Sequence, residues 1–473
     1  LVSSSAASDV YKRQDLRLAE WLPEGYRIDK GSLELELWGV LKQGFPQRLQ
    51  GTAELADFQI TGPAIETPFK LDRLISELDW RQEDEGWRLD LDRLVLMRAG
   101  QLWPPGRLSL AWQASPERGP LLRMGADYLS LKELNDLLAI VELPNRELGD
   151  ALRGLSTDGH LTRFGFALRQ PPEGDSNWRI GGVVTRFSNS HWQSVPGLTG
   201  LRLSFEGNQS GGWLRIDSTD FSVEFPELFR QPITAKRVEG DFEWGFDPQA
   251  GLHLRSDYLQ MHNQDVETLS RIQLDIPLSG RDIFIDMQTD FWNGDASSKS
   301  AYLPVGIMPD ALVDWLDRSV VDGQVNAGSF LLYGPLQEFP FNQQQGRFEV
   351  WFGVEQMILD YKQGWPRIEQ GVAEALFVNN SLEVRLTDGL LLGNRIKQAQ
   401  AQIRELKGAT PVEIEGVVEG PFREMLAILG DTPLKERFAP FVEAVDVQGE
   451  AATKISLAIP LKQQDPFKVE GEV

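Results

Sequence analysis

The sequence contains no cysteine among its 473 residues and only four histidines. Disulfides, thiolate metal sites, iron–sulfur clusters and cysteine nucleophiles are therefore excluded, and little imidazole is present for metal binding. Basic residues are also few, with 47 Lys and Arg against 70 Asp and Glu and a formal net charge of -23. Because nucleic-acid affinity depends on cations that displace counterions from phosphates, this balance argues against nucleic acid as a partner.

Long apolar runs are missing as well. A helix that crosses a bilayer needs roughly 18 or more consecutive apolar residues, and stretches such as Leu137 to Val141 are far shorter. The sequence therefore predicts no membrane-spanning helix within these residues. If the intact protein is anchored, we expect its anchor to lie outside this chain.

The usual signatures of catalysis are absent too. There is no glycine-rich phosphate loop, nucleophile elbow or HExxH motif. Asp90 and Asp92 form a carboxylate pair, but they alternate with leucines, which is typical of a solvated strand face. His253 and His262 have a spacing that suits no single metal site. The sequence thus predicts no cofactor, no metal and no enzymatic activity.

The strongest positive signal is an alternation of apolar and polar residues with a period of two. It is clear at Leu33, Leu35 and Leu37, and again from Leu201 to Phe205. Such alternation indicates strands with one dry and one wet face, as in antiparallel sheets. Short turn-forming pairs predict hairpins at Asn293-Gly294, Asp322-Gly323, Asp158-Gly159 and Gly211-Gly212. The expected fold class is mainly β: an elongated, curled antiparallel sheet that forms an apolar groove, a repeating β-groove with a few short amphipathic helices.

Weak internal repeats and short helical segments suggest how the chain is organised. The stretch that begins at Trp87 parallels the one at Trp213, and each is followed about forty residues later by Asp-Tyr-Leu. Residues 1–14 resemble a sequencing-adapter artefact and are expected to be an artefactual or disordered leader. The three expected β-groove units are 15–155 with helices near 130–153, 156–323 ending in a helix at 309–321, and 324–473, truncated, with helices near 421–445.

A series of motifs in the second half of the chain carries a family resemblance. In order they are Tyr302-Leu303-Pro304, Met308-Pro309, Trp315-Leu316-Asp317, Gly334-Pro335, Phe339-Pro340-Phe341, Gly346-Arg347-Phe348 and Trp365-Pro366. This order over about 65 residues resembles the YhdP family of AsmA-like envelope proteins. The weaker repeats on both sides fit the same family, so the resemblance extends over residues 15–473.

The resemblance implies a large protein of the double-membrane bacterial envelope. Members of this group resemble bridge-like phospholipid carriers, held in the inner membrane by an N-terminal helix and extending through the periplasm. It therefore implies phospholipid acyl chains as ligand. It also implies the inner and outer membranes as partners, reached through regions missing from this fragment. The family has no catalytic motif to carry over.

A sheet with one apolar face must pack that face on another layer or hold an apolar ligand, and the short helices are too few to cover it. From the alternation we expect these residues to line the groove: Leu201, Leu203, Phe205, Leu214, Ile216, Ile272, Leu274, Ile276, Val350, Phe352, Leu376, Val378, Val384 and Leu386. Ordinary core packing explains each single position equally well, so only a continuous stripe is diagnostic. The alternative is a structural or assembly-assisting envelope protein with a self-packed β core. A glycan-active enzyme would instead need two converging carboxylates.

Overall fold

The computed structural model describes residues 25–62, 68–138, 154–193, 195–278, 282–406, 411–430, 440, 448–459 and 468–472. Antiparallel strands dominate this part of the chain, and every strand pairing within it is antiparallel. The prediction of a mainly β, antiparallel fold is confirmed. The chain divides into two compact units, Leu1–Ser218 and Thr219–Val473. The division into three β-groove units stays a prediction.

The first unit is a sheet in which strands follow one another in chain order. Its elements are β1 (Arg27–Lys42), β2 (Phe45–Thr61), β3 (Phe69–Glu83), β4 (Gly86–Arg98), β5 (Gln101–Leu102), β6 (Gly106–Gln113), β7 (Leu121–Ser130), helix α1 (Leu131–Leu138), β8 (Asp158–Arg169), β9 (Asn177–Asn189) and β10 (Gly197–Asn208). The two-residue β5 pairs with the end of β4, and β6 continues the sheet from β4. Strand β11 (Gly211–Glu224) contains the boundary between the units.

The second unit has the same meander order. Its strands are β12 (Ile233–Asp247), β13 (Gly251–His262), β14 (Glu267–Ile276), β15 (Phe284–Asp295), β16 (Val320–Pro335), β17 (Arg347–Leu359), β18 (Ile368–Val378), β19 (Ser381–Leu391), β20 (Asn394–Ile403), β21 (Val412–Pro421), β22 (Glu450–Ile459) and β23 (Lys468–Glu472). Its helices are α2 (Asp310–Ser319) and α3 (Phe422–Gly430), with 3₁₀ segments at Ala296–Ala301, Val305–Ile307 and Leu336–Glu338.

Three of the four hairpin positions predicted from Asx-Gly and Gly-Gly pairs are wrong. Asn293-Gly294 lies inside β15, Asp322-Gly323 lies inside β16, and Asp158-Gly159 begins β8. At the fourth, Gly211-Gly212, the two-residue turn between β10 and β11 lies directly before the glycines. Asn293 does have a left-handed backbone, with φ 54°, but the strand continues through it. These residues supply the backbone freedom for irregularities within long strands, a use that local sequence does not separate from a turn.

The real turns are often made by residues with weak turn signals. β1 and β2 are joined by Gln43 and Gly44, whose φ angles of 57° and 84° suit a two-residue hairpin of type I′. β19 and β20 are joined in the same way by Leu392 and Gly393, at 49° and 82°. Strand pairing on both sides therefore sets the conformation of residues that do not favour it by themselves.

Both sheets are bent by β-bulges at non-glycine residues with positive φ. Arg93 in β4, Arg163 in β8 and Gln356 in β17 each coincide with a shift of register against the neighbouring strand. A bulge inserts an extra residue on one strand, bends it and increases its right-handed twist. Repeated bulges are the means by which an antiparallel sheet acquires curvature.

Each unit has a sealed hydrophobic cluster near one end of its strands. In the first unit the cluster contains Tyr26, Ile60, Phe69 and Leu71. In the second unit it contains Val354, Met357, Ala373, Leu386, Leu391, Ile396, Val418 and the α3 residue Met425. Helix α3 therefore covers one end of the second sheet, while most of the sheet has no helix packed on it in the described residues.

The predicted helices are confirmed where the structure describes them. The helix expected at 309–321 is α2, and those expected near 130–153 and 421–445 begin as α1 and α3. The remainder of the latter two segments lies outside the described residues, except for residue 440. Among the helices that the structure describes, none is both long and apolar enough to cross a membrane.

Candidate functional site: the apolar sheet faces

A line of apolar side chains crosses seven neighbouring strands of the first unit without a break. In pairing order from β2 to β9, the line is Leu49, Trp80, Leu89, Leu110, Met124, Phe166 and Ile180. Directly opposed residues in an antiparallel pair lie on the same face, so these side chains share one side of the sheet. With strands about 4.8 Å apart, the line is about 29 Å long. We call it the first ladder.

A second row runs beside the first ladder, two residues further along each strand. It consists of Leu37, Gly51, Leu78, Leu91, Leu108, Ala126 and Phe164. The two rows together make an apolar strip, because residues two apart on a strand lie on the same face. The width of this strip exceeds that of one hydrocarbon chain.

Partial exposure distinguishes this strip from an ordinary core. Every member of the first ladder is only partly buried, whereas Ile60 and Phe69 in the sealed cluster retain 4% and 9% of their exposure. A ladder covered by a second layer would be as buried as that cluster. The described part of the first unit therefore presents an apolar face on which nothing is packed.

The second unit has an equivalent line, which we call the second ladder. From β15 to β21 its members are Phe291, Gly328, Phe352, Ala375, Val384, Ala401 and Ile414. A parallel row contains Phe330, Val350, Phe377, Leu382 and Ile403. Phe291, Phe352, Val384 and Ile414 are partly exposed, so this face is open over several strands as well.

Glycines in these lines are covered by neighbouring side chains. A Cβ placed on Gly328 would overlap the ring of Phe291, and one on Gly182 would lie 2.9 Å from Leu161 Cδ1 and 3.5 Å from Phe205 Cε1. An apolar side chain thus lies across the strand where the glycine has none, an arrangement known to stabilise strand glycines. The apolar surface therefore continues across the glycines.

Most of the residues predicted to line the groove do lie on these faces. Leu203 and Phe205 pair with Val184 and Gly182, next to the first ladder. Leu214 and Ile216 alternate with exposed residues on β11, and their place on the same face as either ladder stays a prediction. Ile272, Leu274 and Ile276 oppose Ser256, Leu254 and Leu252 on β13. Val350, Phe352 and Val384 belong to the second ladder or its neighbouring row.

Leu201 and Leu386 lie on the same faces but are more deeply buried, at 7% and 6% exposure. Leu386 belongs to the sealed cluster beneath α3 and contributes to folding there. Because Leu386 is buried in this cluster, it offers little surface to a ligand. The surface available to a ligand comes from the partly exposed members of the second ladder.

Leu376 and Val378 lie on the opposite face, which corrects their assignment. Leu376 opposes Trp351 and Glu383, and Val378 opposes Glu349, whereas the ladder side of β18 carries Ala373, Ala375 and Phe377. The segment from Ala375 to Val378 is apolar at every position, so the alternation could not indicate which of these residues lie on the ladder side. Register decides the face, and register depends on the partner strands.

Sequence reasoning missed the centre of the first ladder. Leu89 and Leu91 alternate with aspartates, so their face was visible in the sequence. Met124, Phe166 and Ile180 lie in strands rich in glycine and arginine, where the alternation is weaker. Only the pairing of the strands shows that these residues continue one line.

The opposite face of the first sheet is held by ion pairs. Asp90 accepts hydrogen bonds from Arg88 Nε and Arg81 Nη2, both at 2.8 Å, and Asp79 binds Arg48 Nη2 at 2.6 Å. The hydrogen bond from Arg88 is the main cause that keeps the pKa of Asp90 below its ordinary value of 3.8, against the opposing effect of burial. The carboxylates considered for catalysis are thus paired structural groups.

The Asp90→Asn variant is expected to be less stable than the wild type by about 2 kcal/mol at pH 7, because three charge-assisted hydrogen bonds are weakened or lost. Since folding lowers the pKa of Asp90, its contribution is complete above the unfolded-state pKa and is lost as pH falls through the folded-state value. Urea unfolding of both proteins from pH 7 to pH 3 measures this. A stability difference that stays constant over the range would contradict the assignment.

Other candidate catalytic groups are also accounted for. Asp317 binds Arg230 Nη2 at 2.6 Å and accepts a hydrogen bond from Ser300, and His253 pairs with Asp275 on the exposed side of β13 and β14. Among the residues described, no group of three or more His, Asp or Glu is placed to hold a metal ion. The most extensive surface that could bind a ligand in the described residues is therefore the apolar face of each unit.

An open antiparallel meander, bent by bulges and apolar along one side, defines the class of β-groove proteins. The family model for YhdP protein matches residues 6–473, and the chain belongs to the YhdP family. It is 22% identical over 469 residues to the Intermembrane phospholipid transporter YhdP of Escherichia coli strain K12. That match covers 96% of this chain but 36% of the relative, so the chain spans about a third of the relative's length. No solved structure matches the chain.

Proposed function

We propose that this chain is part of a conduit that carries phospholipid through the periplasm between the inner and outer membranes. The acyl chains slide along the apolar sheet faces while the head group stays in water, and no bond is made or broken. The intact protein is anchored to the inner membrane. The observation that carries the proposal is the first ladder, which is unbroken and partly exposed along its length, together with the partly exposed members of the second ladder.

The free energies involved favour such a device. A two-chain phospholipid that crosses water exposes about 30 methylenes, which at about 0.8 kcal/mol each amounts to about 24 kcal/mol. An apolar face removes most of this barrier without any reaction. One acyl chain occupies about half of a 30 Å hydrocarbon core, so it is shorter than the 29 Å ladder. Successive positions on the ladder are chemically alike, which permits sliding.

The relative's function supports the same conclusion. The Escherichia coli protein is named as an intermembrane phospholipid transporter, and this chain aligns with a continuous part of it. The polar face fits an aqueous compartment, because its carboxylates are paired with arginines whose side chains remain substantially exposed.

Photocrosslinking tests the proposal at two positions that differ in face. A benzophenone amino acid at Leu203 is expected to form phospholipid adducts, because Leu203 lies on the ladder side of β10. The same group at Leu376 is expected to form none, because that side chain lies beside Trp351 and Glu383 on the polar side. Mass spectrometry of the purified protein identifies the adducts. Equal labelling at both positions, or none at Leu203, would contradict the proposal.

A further inference from the structure

Three hydroxyl groups interrupt the apolar face of the second unit at one place. Thr268 and Ser270 lie on β14, and Thr289 lies on β15 directly opposite Ser270. Ser270 is two residues from Ile272 and Thr289 is two residues from Met287, a directly opposed apolar pair. The three hydroxyls therefore share the face of these apolar neighbours. We call them the hydroxyl cluster.

The hydrogen bonds of this cluster leave donors unused. Ser270 Oγ and Thr289 Oγ1 are 2.8 Å apart, so one hydroxyl donates to the other and the hydrogen of the second has no acceptor within the pair. In the part of the chain that the structure describes, the Thr268 hydroxyl makes no hydrogen bond, although the backbone of Thr268 is paired in the sheet. Ser270 is only 5% exposed, while Thr268 and Thr289 are partly exposed.

Two other buried serines, Ser218 and Ser256, use their hydroxyls fully. Ser218 Oγ donates to the carbonyl of Arg202 and accepts from its backbone N–H. Ser256 Oγ donates to the carbonyl of Tyr258 and accepts from its N–H. These two hydroxyls are fully used by the backbone of the sheet, and each stabilises a strand pair or a bulge. The hydroxyl cluster lacks such a structural use for its spare hydrogen.

Water satisfies the spare donors when the face is empty, since Thr268 and Thr289 are accessible. Acyl chains that cover the face displace this water, and a buried hydroxyl that is left without an acceptor is unfavourable. A covering lipid therefore binds best when it brings an acceptor to the same place. The acceptors nearest the acyl chains of a phospholipid are its two ester carbonyl oxygens.

We propose that Thr268, Ser270 and Thr289 form a binding site for the ester carbonyls of a phospholipid. The inference rests on the proposed function and adds a preferred stopping position to it. Phe291 directly opposes Thr268 and Phe330 directly opposes Thr289, while Ile272 and Met287 form the next opposed pair along β14 and β15. The chains therefore have apolar contacts beyond the carbonyls. The lipid pauses with its glycerol backbone over β14 and β15.

A comparison of ester and ether lipids tests this site. The purified protein is incubated with vesicles that contain equal amounts of a diacyl phosphatidylethanolamine and its dialkyl ether analogue, with the same chain lengths. Bound lipid is measured by mass spectrometry. The wild-type protein is expected to hold about five times more ester than ether lipid, the ratio that one hydrogen bond of about 1 kcal/mol provides.

The triple variant Thr268→Val, Ser270→Ala, Thr289→Val is expected to bind both lipids equally, because it keeps the shape of the face and removes the donors. The double variant Ser270→Ala, Thr289→Val retains Thr268 and serves if the triple variant does not fold; its ratio is expected to fall below that of the wild type. The control is Thr52→Val on the polar face of β2, which is expected to keep the wild-type ratio.

The outcomes separate this site from the proposed function. Equal binding of both lipids by the wild type overturns the carbonyl site and leaves lipid carriage intact. An ester preference that persists in the triple and double variants also overturns the site, because the preference then arises elsewhere. If neither lipid binds the wild type, the proposed function is overturned together with the site.

Discussion

The Leu110→Asp variant is expected to bind about tenfold less phospholipid than the wild type, or less still. Leu110 lies in the middle of the first ladder, between Leu89 and Met124. A carboxylate there must either lose its water beneath the acyl chains or take up a proton, and both cost several times RT. Phospholipid that copurifies with the protein, measured by mass spectrometry per mole of chain, reports the effect.

The matched control for this variant is Ala111→Asp, one residue along the same strand. Ala111 lies on the polar face between Arg88 and Arg123, so the new carboxylate gains cationic neighbours and stays near water. Wild-type lipid content is expected. If both variants lose lipid equally, the effect arises from the strand as a whole, and the first ladder is not the binding surface.

The alternation of apolar and polar residues predicted the faces of regular strands correctly but failed where the alternation is lost. It assigned Leu203 and Phe205 to the ladder side, because polar residues separate them. It failed from Ala375 to Val378, where four apolar residues in succession leave both faces equally apolar. A strand of this kind takes its face from its neighbours, which a reading of one segment cannot include.

Bulges set a second limit on this reasoning. On the two sides of the left-handed Asp57 in β2, Leu55 and Phe58 both pack against the sealed cluster, although they are three residues apart. The parity of the strand therefore changes at Asp57, and a prediction that extends one period of two across it assigns every later residue to the wrong face. Asx-Gly pairs were taken as hairpin turns for a related reason, since the same backbone freedom serves bulges and turns.

The sealed clusters stabilise the sheet of each unit, whereas the open ladders leave apolar surface available to a ligand. A curved sheet with one wholly uncovered face would have little buried apolar area to hold it together. In the second unit the cluster around Val354 and Met425 supplies that burial, beyond which Phe352 and Val350 remain partly exposed. The self-packed core of the alternative hypothesis thus describes part of each unit, and the open ladder describes the rest.

Two valines on one face of β17 separate these roles. Val354 is 5% exposed within the sealed cluster, and Val350 is a partly exposed neighbour of the second ladder. The Val354→Ala variant is expected to lose about 2 kcal/mol of unfolding free energy in urea, because it leaves a cavity, with little change in bound lipid per folded chain. Val350→Ala is expected to lose less than about 1 kcal/mol, since the site is already open, but to reduce photocrosslinking of lipid at the adjacent Phe352 position. Equal losses of stability at the two positions would mean that the whole face is packed, and the groove would have to be abandoned in favour of the self-packed core.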